Sequence, residues 1–258
     1  MIYFGVMIII WIILFMFFIN YNYQTFEREY KCILLVTSSN LEEVYKEARP
    51  IWKKYMNTNP NVKVLFVYGE NTAIGIDRTD EDLIYDVYDT YDGPGYLQKT
   101  IKALEFIDKN FKYDYVIRTN STTFWDFTNL CKKLDNLPNK NLYYGSVASN
   151  YGVSFVGGSC ILLTPDIVKI ILHNQNQINF DLKFEDVILG GFLQSLNIHG
   201  TNHTTSSEII ILSEIPKIED IKNYESNGTL YYKIKCNDRT NDRLVQEELL
   251  RYFFPDLI

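Results

Sequence analysis

The chain is poor in features that would assign it to several large protein classes. Its four cysteines, Cys32, Cys131, Cys160 and Cys236, fall at wide spacings with no Cys-x-x-Cys pair, so the spacing offers no zinc site. No basic stripe with interleaved aromatics stands against the net charge of −7. Nucleic-acid binding is therefore unsupported, and a small or sugar-like substrate is favoured over a polyanion. Internal repeats and low-complexity linkers are missing too, which leaves one α/β domain as the expectation for 258 residues. Three Trp stand against 20 Tyr. Aromatic faces stack on sugars and bases but equally fill cores, so composition alone names no ligand.

What is present begins with residues 1–19, which carry no charge. As a helix at 1.5 Å per residue they reach about 28 Å, close to the roughly 30 Å hydrocarbon core of a bilayer. The segment lacks both the basic flank and the small-residue cleavage site of a secretory signal. It is expected to be an uncleaved transmembrane signal anchor, with residues 20–30 as a stem and 31–258 as the folded domain. That implies a single-pass protein, type II in orientation, in a Golgi-like, ER-like or viral membrane. The flank Glu27-Arg28-Glu29-Tyr30-Lys31 carries both signs, so the positive-inside rule has little to act on. Sequons at Asn120, Asn202 and Asn227 agree with a lumenal domain but arise readily by chance in an Asn-rich chain.

Short apolar runs then alternate with helix-length segments. Strands are expected at 32–38, 62–68, 83–87, 113–118, 142–145, 159–163 and 209–212, and helices at 41–55, 96–110, 126–134, 165–173, 185–196 and 242–253. Asn40 and Asn241 are plausible N-caps, and Pro165 suits a first helical turn. In the last helix Leu244, Leu249 and Leu250 are the expected core contacts. Cys32 and Cys160 lie in apolar runs and read as buried thiols, with one disulfide as the alternative. The alternation predicts an α/β fold, a mainly parallel sheet flanked by helices, with its ligand site at the carboxyl ends of the strands.

Four places have residues suited to chemistry. Glu185-Asp186 opens an apolar helix, where aligned amides favour carboxylates; the pair either caps the helix or aims one member into a cleft as a general base. Gly157-Gly158 lets backbone approach a ligand without a Cβ, or simply makes a tight turn. The loop from Asp89 to Gly95 precedes the helix bearing Lys99, which can face a phosphate. Asn120 and Ser121 lie at the end of a buried strand, where they either meet a ligand or turn the chain.

In their order these segments resemble the β-1,3-galactosyltransferase and Fringe-like glycosyltransferases of GT-A fold, over roughly residues 31–196. Arg49-Pro50-Ile51-Trp52 is similar to the family's Arg-x-Thr-Trp, and Asp89-Thr90-Tyr91 with Leu97, Lys99 and Thr100 to its Asp-Ser-Tyr…Leu-x-Lys-Thr block. Tyr144-Gly145, Gly157-Gly158 and Glu185-Asp186-Val187 follow in family order. The resemblance implies a Rossmann-like domain that uses a nucleotide-sugar donor such as a UDP-sugar and a glycan or glycoconjugate acceptor. Asp186 would be the catalytic base, with Glu185 beside it, and Arg49, Asp89, Lys99, Arg118, Asn120, Ser121, Gly157 and Gly158 would lie around the donor. The chain departs from the family at the metal motif. Where the family has Lys-Thr-Asp-Asp-Asp-x-Phe, it has Arg118-Thr119-Asn120-Ser121-Thr122-Thr123-Phe124, so a divalent metal cannot be carried over. His203 matches a late metal ligand of the family, but reads more simply as a surface histidine.

Two functions follow. The first is an inverting hexosyltransferase, of β-1,3 type by resemblance, in which cations such as Arg118, Lys99 or Arg49 neutralise the leaving diphosphate. The second is a catalytically silent, membrane-tethered GT-A domain that binds a glycan or protein. An enzyme should have Asp186 and the Arg118 strand end on one cleft; a silent binder should keep the cleft but lack a basic residue placed for the diphosphate.

Overall fold

The computed structural model describes Trp11 and residues 29–90, 93–181 and 184–258. The expected anchor, apart from Trp11, and the stem up to residue 28 lie outside the described residues. Among the described residues no helix is long and apolar enough to cross a membrane.

Strand β1 (Glu29–Thr37) begins two residues inside the expected stem and is an interior strand of the sheet. Its side chains alternate between two cores: Cys32, Leu34 and Val36 face one, Ile33 and Leu35 the other. An apolar run without polar alternation arises because both faces are covered. Strands β2 (Val62–Gly69) and β4 (Lys112–Asn120) pair parallel on either side of β1, and β3 (Asp82–Tyr85) extends the sheet beyond β2. On the other flank β9 (Ile161–Leu163) runs antiparallel between β4 and β6 (Tyr143–Gly145), and β10 (Thr201–Asn202) closes the seven-stranded order β10-β6-β9-β4-β1-β2-β3.

Helices α1 (Glu43–Tyr55), α3 (Phe127–Leu134), α6 (Ile218–Ser226) and α7 (Asp242–Phe253) supply one core, around Trp52, Tyr55, Leu130 and Leu249. Helices α2 (Gly95–Asn110), α4 (Pro165–Asn174) and α5 (Glu185–Ser195) supply the other, around Leu104, Ile167 and Leu193. The mixed α/β architecture with a mainly parallel sheet is thus observed.

Some local expectations are corrected. Helix α1 starts at Glu43 with Glu42 in the cap position, because the Asn40 amide is committed to the Ile74 carbonyl at 2.7 Å. Leu244 is 46% exposed, whereas Leu249 and Leu250 are buried; the apolar stripe of α7 is rotated away from Leu244. Cys32 and Cys160 are buried free thiols as the sequence suggests, and Cys131 and Cys236 are free as well.

Elements that sequence periodicity did not reveal complete the site. Strand β5 (Thr123–Trp125) leaves the end of β4 and pairs antiparallel with β12 (Tyr231–Ile234), which pairs parallel with the expected strand β11 (Ile209–Leu212). The hairpin β7 (Val147–Asn150) and β8 (Val153–Val156) turns at Tyr151 (φ 51°) and Gly152 (φ 73°), the left-handed pair that a two-residue hairpin loop requires. Strand β8 packs on α5, where a Cβ at Gly190 would collide with Phe155.

Candidate functional site

A cleft of about 390 Å³ opens beyond the carboxyl end of β4. Its walls come from four places: Arg118 and Asn120 from β4, Gly157 and Gly158 from the turn after β8, Glu185 and Asp186 from the start of α5, and Lys233, Lys235 and Arg239 from β12 and the loop behind it. A second lobe of about 270 Å³ lies over the ends of β1 and β2, lined by Thr37, Ser38, Asn71, Thr72, Tyr88 and Asp89. Tyr45 and Tyr96 line both lobes. The sheet explains the location: β1, β2 and β4 run parallel, so their carboxyl ends and following loops gather on one side.

The adjacent carboxylates of α5 have different surroundings. Glu185 is buried and pairs with the Arg118 Nη2 atom, while its other oxygen accepts the Thr100 hydroxyl at 2.6 Å. Burial pushes its carboxyl upward, against the opposing pull of Arg118 and Thr100. Asp186 is only half-buried and faces the cleft. Its Oδ2 accepts the Gly158 N–H and its Oδ1 the Val187 N–H, each at 3.0 Å. Two backbone donors fix the carboxylate while leaving lone pairs for a substrate hydroxyl. Phe184 holds the cap position of α5 with no side-chain cap bond, and Asp186 takes up the first-turn Val187 N–H from within the helix.

Arg118 is the hub. Its Nη1 donates to the Gly158 carbonyl and to Asn120 Oδ1 at 2.8 Å, and its guanidinium lies 5.3 Å from the Tyr96 ring centroid. Gly158 has a stated reason: a Cβ there would stand 2.7 Å from Arg118 Nη1. The glycine admits the protein's own guanidinium, which then holds the turn that holds Asp186.

No protein-family profile and no curated protein matches the chain. Among solved structures, 83% of this chain aligns with 98% of the crystal structure of a glycosyltransferase involved in the glycosylation of the major capsid of PBCV-1, at 13% identity and a TM-score of 0.44. The chemistry is read from the cleft.

Of the residues singled out in the sequence, Arg118, Asn120, Gly157, Gly158, Glu185 and Asp186 line the larger lobe and Asp89 the smaller. Lys99 lines neither. It is fully buried, paired with Asp89, bonded to the Ser38 carbonyl at 3.3 Å and 4.2 Å from the Tyr96 ring centroid. Burial pushes its ammonium down, against the pull of Asp89. Arg49 is also absent from both lobes, bonded to the buried Asp82 and to the Asp77 carbonyl at 2.8 Å. Ser121 is turned into the core, where its carbonyl accepts Trp52 Nε1 at 2.8 Å. His203 is not a surface residue: its ring is locked between Glu208 and Tyr231 at 3.0 Å each.

The residues at the β4 end do not fit a divalent cation. Arg118, Asn120 and Thr122 bring no carboxylate to the cleft, Glu185 is taken by Arg118, and no group of three or more His, Cys, Asp or Glu among the described residues is disposed to hold a metal. Sequence reading missed the cations Lys233, Lys235 and Arg239. Their signal was the alternation in Tyr231-Tyr232-Lys233-Ile234-Lys235, which as a strand puts both lysines on one face.

Proposed function

We propose that this chain is an inverting glycosyltransferase that moves a hexose from a nucleotide sugar, such as a UDP-sugar, to a hydroxyl of a glycan or glycoconjugate. The observation that carries the reading is Asp186, oriented by two backbone N–H groups in a cleft that also has basic residues. The acceptor hydroxyl gives its proton to the Asp186 carboxylate as its oxygen attacks the anomeric carbon. The bond from that carbon to the diphosphate breaks on the opposite face, and the electron pair leaves with the nucleoside diphosphate.

The smaller lobe suits the nucleoside. Tyr88 stands 78% exposed at its margin, and Ser38, Asn71 and Asp89 line its wall. Membrane attachment through residues 1–19, with the domain lumenal or on a viral membrane, completes the proposal and rests on the sequence alone.

The test is hydrolysis and transfer with a panel of nucleotide sugars, with and without EDTA, by the wild-type chain and Asp186→Asn. Product of inverted anomeric configuration that vanishes in Asp186→Asn supports the reading. Donor binding without turnover under any condition would replace it with the silent binding domain.

A further inference from the structure

We propose that Lys233 and Lys235 form the diphosphate site of this cleft and take the leaving group without a metal ion. The inference rests on the glycosyl-transfer reading above and names the residues that make it workable.

Arg118 is neutralised by Glu185, and Arg239 by Asp242, whose carboxylate also accepts the Cys236 N–H at 2.9 Å. That leaves two lysines and one aspartate lining the larger lobe. No carboxylate of the described residues lies within ion-pair distance of either lysine. Lys233 is half-buried and Lys235 exposed, so one ammonium is at the wall and the other at the rim. Buried cations are ordinarily paired. With Glu185 and Asp242 already held by the two arginines, a half-buried lysine facing Arg118, Lys235 and Arg239 has Asp186 alone of the lobe's carboxylates to offset it, and the site suits an anion. Burial and those three cations push its ammonium down to about 8 from 10.5.

Register brings these cations to the right strand end. Lys233 pairs with Thr123 across the antiparallel β12–β5 ladder, and the Ile234 N–H donates to the Thr122 carbonyl at 2.9 Å. The lysine strand therefore runs beside the segment that follows Asn120, at the border of the lobe that holds Asp186. A nucleoside diphosphate bound across both lobes would have its phosphates next to Lys233 and Lys235. As the carbon–oxygen bond breaks, the electron pair remains on the terminal phosphate oxygen, and the two ammonium groups offset that charge by direct hydrogen bonds. The proton lost by the acceptor stays on Asp186, and no further reactant is required.

The experiment is calorimetric titration of the full chain with UDP, GDP and CDP in EDTA, then again with Mn²⁺ or Mg²⁺. It is repeated with Lys233→Met, Lys235→Met and the double variant, and with the matching nucleosides as phosphate-free probes. We expect metal-independent binding of one diphosphate, weakened about ten- to a hundredfold by each lysine removed, and nucleoside binding unchanged. Lys235 is exposed, so its variant reports on binding even where Lys233→Met perturbs folding. Diphosphate binding in EDTA that survives the double variant overturns the assignment and leaves glycosyl transfer standing. Binding only with added metal overturns it as well. Failure to bind any of the three under both conditions overturns both readings.

Discussion

Exchanging Glu185 and Asp186 for their amides should separate two neighbouring carboxylates by what each one breaks. Glu185→Gln keeps the shape and an acceptor for Arg118 but removes the charge that balances a guanidinium whose side chain is 5% exposed. Breaking a buried pair by removing one partner costs about 3–5 kcal/mol. For a domain of this size each kcal/mol lowers the melting temperature by about 2–4 °C, so a fall of roughly 6–20 °C is expected. Asp186→Asn loses at most one of two backbone hydrogen bonds at a half-buried site, a cost of about 0.5–1.5 kcal/mol. It should instead lower kcat by about 10²–10⁴-fold through loss of the base. The assays are thermal unfolding by circular dichroism and transfer rate at a temperature where both variants are folded. A Glu185→Gln protein that melts within a degree or two of wild type, or an Asp186→Asn protein that keeps its rate, refutes the division of roles.

Four further outcomes are expected. Gly158→Ala forces a methyl against Arg118 Nη1; it should destabilise by about 1–3 kcal/mol and lower kcat by displacing the N–H that orients Asp186, both measurable on the same sample. Arg49→Ala leaves the buried Asp82 carboxylate without its guanidinium, so urea unfolding should show a loss of stability while KM for the donor stays unchanged. Between about 8, where burial and three cations hold Lys233, and 10.5, its ordinary value, the unfolded chain carries more protons than the folded one; unfolding free energy should therefore rise with pH across that window, and Lys233→Met should flatten the rise. Leu249→Ala should cost about 2–5 kcal/mol and Leu244→Ala less than about 0.5 kcal/mol, a contrast that thermal melts resolve because only Leu249 is buried.

The parallel half of the fold was legible because its signals are local. The apolar run around Cys32 to Val36, the stripe Leu97-Ile101-Leu104 and Pro165 at a helix start each carry their structure in a few adjacent residues. The β5–β12 pairing was not, since nothing near Thr123 specifies a partner at Lys233. Among the residues that line the cleft, Asp186 and Gly158 were legible through motif order. The cationic roles of Lys99 and Arg49 were misjudged because a sequence displays charge but not the partner that cancels it, here Asp89 and Asp82. For the same reason Lys233 was overlooked: its importance lies in having no such partner among the described residues.

The return of β12 to β5 also sets when the cleft can exist. A ribosome adds roughly 5–20 residues per second, and Trp125 emerges well before Tyr231, its partner across the ladder. During that interval a nascent chain can pair β1, β2 and β4 while the wall carrying Lys233 and Lys235 has yet to be made. The larger lobe is therefore completed late in synthesis, and chains released before β12 lack both its lysine wall and the last helix of the core that covers one face of the sheet.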